Sequence, residues 1–107
     1  MTNTFEDRVT LGMAQWITLV KTHDATESLR IEITHDPEKL VSERSICFSA
    51  VSRILSDWEN RDDGCMESII GAYEDLDGDH LRYMIRTDQR ELWIWSKSPA
   101  TISVFRR

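Results

Sequence analysis

The sequence predicts an α+β protein: two helices with one strand between them, then a four-stranded antiparallel meander, the helices packed on one face of the sheet. Three observations lead there. Apolar residues recur at spacings of three and four early in the chain and again in its middle; Asp36-Pro37-Glu38 reads as a helix start; and after Gly64 the pattern changes to two-residue alternation broken by turn signals. Helices and strands in separate blocks are the mark of α+β layering. At 107 residues, with 40% hydrophobic residues and four tryptophans, the chain suits a single domain over 1–107.

The first helix is expected over 4–21. Thr4 or Asn3 caps it, Glu6 and Asp7 sit in its first turn, and Phe5, Val9, Met13, Trp16, Ile17 and Val20 form its stripe. Gly12 weakens it by about 1 kcal/mol relative to alanine, and Leu11 and Leu19 lie off the stripe. Residues 29–34 alternate as a half-buried strand. The second helix is expected over 37–59, with Val41, Phe48, Val51, Leu55 and Trp58 on its apolar face, Cys47 beside them, and a break around Ser42–Ser45.

Four strands follow over 68–75, 80–87, 90–96 and 101–105. Asp77-Gly78 favours a type I′ turn. If Asp88-Gln89 is a two-residue loop, Thr87 lies opposite Arg90 and the register is set. Ile85 then faces Leu92 and Tyr83 faces Ile94 on the core side, with Leu81 and Phe105 added. Met84 faces Trp93, Arg82 faces Trp95 and Arg86 faces Glu91 on the other. There, two tryptophans share a face with arginines, the composition of cation–π cover or of a contact surface.

Charge is uneven. The net is −6, yet residues 57–79 carry Asp57, Glu59, Asp62, Asp63, Glu67, Glu74, Asp75, Asp77 and Asp79 against Arg61 alone. This balance disfavours direct nucleic-acid binding. Tyr73-Glu-Asp-Leu-Asp-Gly-Asp-His80 resembles a calcium loop, but counted from Asp75 position 6 is His80 and position 12 is Arg86, where an EF-hand needs glycine and a bidentate glutamate. A hairpin turn is the better reading, and no metal or cofactor is expected. His23, His35 and His80 lack ligand spacing. Cys65 has acidic neighbours that raise rather than lower its pKa, so no catalytic residue is assigned and no enzyme is expected. The N-terminus lacks a signal-peptide pattern and no stretch suits a membrane span, so a cytoplasmic protein is expected.

The function these features favour is occlusion, of the inhibitor or immunity-protein kind. Asp57, Glu59, Asp62, Asp63, Glu74, Asp75, Asp77 and Asp79 would steer a partner with a basic surface, such as a nuclease or nucleic-acid-binding protein, and Trp93 and Trp95 would supply buried contact. A homodimer through the Trp93/Trp95 face is a further partner reading. The alternatives are a small-molecule or enzymatic domain with a pocket between sheet and helices, and an acidic adaptor or secretion chaperone taking an extended segment at a sheet edge.

Overall fold

The computed structural model describes residues 4–39, 41–62 and 64–105. It replaces the α+β expectation with one eight-stranded antiparallel sheet and one short α-helix. The elements are α1 (Thr4–Thr10), β1 (Gln15–His23), a 3-10 turn (Asp24–Thr26), β2 (Ser28–Thr34), β3 (Arg44–Phe48), β4 (Val51–Trp58), β5 (Glu67–Asp77), β6 (His80–Thr87), β7 (Arg90–Ser96) and β8 (Thr101–Val104). Across the sheet they run β4-β7-β6-β5-β1-β2-β3-β8.

The helix expected over 4–21 stops at Thr10 for local reasons. Leu11 and Gly12 take left-handed φ of 52° and 72°, and the Gly12 N–H donates to Thr10 Oγ1 at 3.3 Å. The end of a helix leaves carbonyls unpaired. Here the buried Arg44 reaches back from β3 and donates to the carbonyls of Arg8 (2.8 Å) and Val9. The residues after Gly12 then alternate, Gln15 and Ile17 inward with Trp16 between them, as a strand requires.

The helix expected over 37–59 is not found among the described residues of that range. Asp36 closes a tight turn instead, its Oδ1 accepting from the Glu38 N–H at 3.2 Å. Beyond it β3 pairs with β2, setting Ile31 against Ile46 and Leu29 against Phe48. Ala50, in left-handed geometry at φ 51°, then sends the chain across to β4. Val51 N–H to Glu27 O (2.8 Å) and Lys97 N–H to Ala50 O (3.1 Å) hold that crossing.

The three strands β5, β6 and β7 do form a meander. The fourth departs from expectation: β8 lies beside β3, with Ile102 opposite Ile46, and β4 takes the place next to β7. The β5–β6 turn also differs. Gly78 (φ 64°) is its first central residue and Asp79 has no positive φ, the pattern of type II′ rather than I′.

β1 and β5 share the pairs Gln15↔Ile69, Trp16↔Ser68 and Ile17↔Glu67, and both ladders shift register just beyond that seam. The sheet therefore bends there into two four-stranded halves, β1-β2-β3-β8 and β5-β6-β7-β4. Their apolar faces meet: the Phe48 ring of β3 lies 5.2 Å from that of Tyr83 on β6, and Phe5 of α1 lies 4.8 Å from Tyr83 on another side. Phe5 and Val9 of α1 are fully buried. Ile31, Ile33 and Ile46 from one half and Ile85, Leu92 and Ile94 from the other complete the core. The Tyr83 hydroxyl accepts from the Ala100 N–H at 2.9 Å, and burial pushes its pKa up. Phe105, expected in the core, is 38% exposed. Cys47, expected on a helix face, is half-buried on β3.

Candidate docking face

Within β5-β6-β7-β4 a cluster of polar side chains ties the four strands together at one end. Arg90 donates to both Glu67 oxygens at 2.7 and 2.9 Å and to Ser56 Oγ at 3.0 Å, while its guanidinium lies 4.3 Å from the Trp58 ring centroid. Thr87 Oγ1 adds a bond to Glu67. Arg90 and Glu67 are almost wholly buried, so their bonds offset a large desolvation cost. With its donors engaged in this way, the cluster is a clamp. Gln89 ties the loop beyond β4 to it, accepting from Asp62 N–H and donating to Cys65 O, both at 3.0 Å. Asp62 also pushes the exposed Cys65 thiol above its usual pKa, the direction expected from its neighbours and the wrong one for a nucleophile. Among the described residues no three His, Cys, Asp or Glu side chains converge as metal ligands, and no helix is long and apolar enough to cross a membrane.

The outward face of β4-β7-β6-β5 is different in kind. The register of β6 and β7 is the expected one, with Tyr83↔Ile94 and Ile85↔Leu92 facing inward. The other side presents three rows read straight across the strands: Leu55–Trp93–Met84–Tyr73, Arg53–Trp95–Arg82–Asp75, and Asp57–Glu91–Arg86–Gly71. Trp93 and Trp95 stack with centroids 6.3 Å apart and planes 24° apart. Arg82 lies over Trp93 at 5.4 Å and Arg53 over Trp95 at 4.8 Å. Leu55 and Tyr73 remain 44% and 48% exposed. Gly71 shapes the corner by lacking a side chain, because a Cβ there would meet Tyr73 Cε2 at 3.0 Å. A shallow recess of about 450 Å³ opens among Tyr73, Arg82, Met84, Arg86 and Trp93.

The acidic residues singled out in the sequence divide on this frame. Asp75 and Asp77 lie on the face and are engaged with it: Asp75 binds Arg82 through two bonds of 2.9 and 2.5 Å, and Trp95 Nε1 donates to Asp77 at 2.8 Å. The Arg82 bonds hold the Asp75 carboxyl below its ordinary pKa. Asp79 stands at the hairpin tip, 2.8 Å from His80 Nδ1. Asp57 lies opposite Glu91 at the other end of the face, with Glu59 and Asp62 in the segment just beyond it. Glu91 and Trp95 lie four residue steps apart along β7, about 13 Å at the rise of a strand. Glu74 does not belong to the face. It pairs across from the inward Tyr83 and lies 4.0 Å from Arg8. Asp63 lies outside the described residues.

Sequence reasoning thus placed Trp93, Trp95, Arg82, Met84 and Arg86 together and missed Arg53 and Leu55, because it put both on a helix. The available signal was Val-Ser-Arg-Ile-Leu-Ser-Asp-Trp, which read as a strand sets Arg53, Leu55 and Asp57 on one side. No family model, no curated protein and no solved structure matches this chain.

Proposed function

We propose that this is a protein-binding module of the inhibitor or immunity kind, docking through the outward face of β4-β7-β6-β5 onto a partner with a basic surface. One observation carries the reading: a stacked tryptophan pair on an open sheet face, bonded into an acidic hairpin by Trp95 Nε1 to Asp77. Half-buried tryptophans, arginines, a tyrosine and a methionine are the residues that concentrate binding energy at interfaces. The carboxylates at both ends, Asp57 with Glu59 and Asp75 with Asp79, surround that centre and favour approach by a cationic surface. A nuclease or nucleic-acid-binding protein presents such a surface by necessity.

The test compares capture of cell proteins at low salt by wild type and by a Trp93→Ala/Trp95→Ala variant. The partner retained by wild type alone is then purified and its association rate measured against salt. An Asp57→Asn/Asp75→Asn/Asp79→Asn variant is expected to associate more slowly and with weaker salt dependence. Equal rates for this variant and wild type at low and high ionic strength would remove the electrostatic part of the proposal. Undiminished capture by the double tryptophan variant would remove the face.

The recess beside Tyr73 supports a second reading, a small ligand held between Tyr73 and Trp93. A compound that raises the melting temperature of wild type but not of Tyr73→Ala would favour it.

A further inference from the structure

The two edges of the sheet end in different ways. β8 is four residues long, Thr101–Val104, which is one way proteins keep an edge from recruiting another strand. β4 is eight residues long, and every residue from Ser52 to Trp58 is exposed. At its middle Ile54 and Leu55 are 40% and 44% exposed.

The ladder to β7 shows which backbone groups face outward. Glu59 N–H donates to Gln89 O at 2.9 Å, and the same register pairs Asp57 with Glu91, Leu55 with Trp93 and Arg53 with Trp95. Hydrogen-bonded residues alternate along an antiparallel pair. Residues 53, 55, 57 and 59 therefore turn their N–H and C=O groups to β7, and Ile54, Ser56 and Trp58 turn theirs to the open edge.

We propose that β4 is a homodimerisation edge: two copies pair antiparallel through β4 about a two-fold axis at Leu55, joining the sheets of both chains. Outward-turned residues must meet outward-turned residues, which restricts a central axis to Ile54, Leu55 or Ser56. An axis at Ile54 sets Arg53 against Leu55, and an axis at Ser56 sets Leu55 against Asp57; each opposes a charge to an apolar side chain. The axis at Leu55 pairs Ile54 with Ser56 of the second copy through the backbone. On the outward face it sets Leu55 against Leu55, with Arg53 against Asp57 on both sides. One apolar pair between two opposite-charge pairs makes the strand complementary to itself, as an isologous contact requires. Arg53 already stacks on Trp95 at 4.8 Å, and stacking engages the guanidinium face while leaving its N–H groups for a carboxylate.

This inference rests on the edge and not on the partner reading of the face. It has a consequence for that face, because the axis stands perpendicular to the sheet. The dimer carries both tryptophan pairs on the same side, ready for bivalent contact.

Sedimentation across the micromolar to millimolar range tests it. Wild type is expected to move from 12.5 kDa to twice that mass as concentration rises. Arg53→Asp and Asp57→Arg, made singly, should each weaken the dimer about tenfold or more, since each change acts at two symmetry-related pairs. The double variant Arg53→Asp/Asp57→Arg restores opposite charges and should restore the dimer. Ile54→Pro removes an outward N–H, which an edge strand tolerates, and should give a folded monomer by circular dichroism. A wild type that stays at 12.5 kDa throughout overturns the proposal. So does a dimer indifferent to the single reversals, or one lost only with Trp93→Ala.

Discussion

The two halves of the sheet share a plan and differ on their outer faces. Each has four antiparallel strands, an apolar inner face and a row-by-row outer face. On β1-β2-β3-β8 the outer rows read Lys21–Arg30–Cys47–Thr101 and Leu19–Glu32–Ser45–Ser103. On β4-β7-β6-β5 the equivalent rows hold two tryptophans, a tyrosine, a methionine, a leucine and two arginines. The first half shows how this architecture covers its outside: those two rows are mostly small or charged polar residues, and its aromatic rings, Trp16 opposite Thr34 and Phe105 beside Glu43, stand at one end of the face. The second half differs by stacking two tryptophans on each other in the middle of its face, with Arg82 and Arg53 over them, and that concentration is the reason to look for a function there.

The comparison breaks first at the core if it breaks at all. Ile85→Ala and Leu92→Ala in one half, and Ile31→Ala and Ile46→Ala in the other, should each cost about 2–5 kcal/mol in denaturant unfolding. A half whose inner residues proved silent would not be an equal partner in the sandwich. Next come the tryptophans. Trp93→Ala and Trp95→Ala should cost about 1 kcal/mol each, the scale of cross-strand and cation–π contacts on a half-open face. Losses as large as those at Ile85 would make that face part of the stabilising structure. Ser45→Ala and Thr101→Ala on the other half should change stability by about 0.5 kcal/mol or less.

The smallest expected effect is on acid sensitivity. The Asp75 carboxyl is held below its ordinary pKa by Arg82, and that of Glu43 by the His35 N–H with help from Thr34. A carboxylate depressed in the folded state contributes stability above its unfolded pKa, and loses it as pH falls through the folded one. Both groups are substantially open to water, so the contribution is small and screened by salt. Asp75→Asn should leave the neutral-pH melting temperature nearly unchanged and slightly flatten its decline below the usual carboxylate range. An unaltered acid limb would mean that the Asp75–Arg82 pair organises the face without stabilising it.

What was legible in the sequence follows the same division. The β6–β7 hairpin could be read to the residue, because the two-residue loop Asp88-Gln89 fixes register and one slip would turn Ile85 and Leu92 outward. The two helices were misread for physical reasons. Phe5 and Val9 do lie on one helical face, but Met13, Trp16 and Ile17 extended the stripe by coincidence of spacing past Leu11 and Gly12, where the chain turns left-handed. In 37–59, Phe48, Val51, Leu55 and Trp58 fit helical spacing just as well. The break between β3 and β4 falls at Ser49-Ala50, with Ala50 left-handed and no glycine, proline or asparagine to announce it. Arg44 is the other hidden element, a buried charge whose partners are helix carbonyls 35 and 36 residues away. The acidic run was visible as a run, while its division into two ends of one face depended on the pairing of β4 with β7.

The same Arg44 bonds set an order in time. A seven-residue helix has too few turns to hold itself in water, where about 12–15 residues are the margin even for favourable sequences. The carbonyls of Arg8 and Val9 gain their guanidinium only after β3 has joined β2, and Phe5 gains its ring neighbour only after β6 is in place. The helix that precedes every strand is therefore completed late, and until then the core lies open where Phe5 and Val9 belong. In pulsed hydrogen exchange the α1 amides should gain protection after those of β6 and β7, and Arg44→Met should delay them further while leaving the hairpin's timing unchanged.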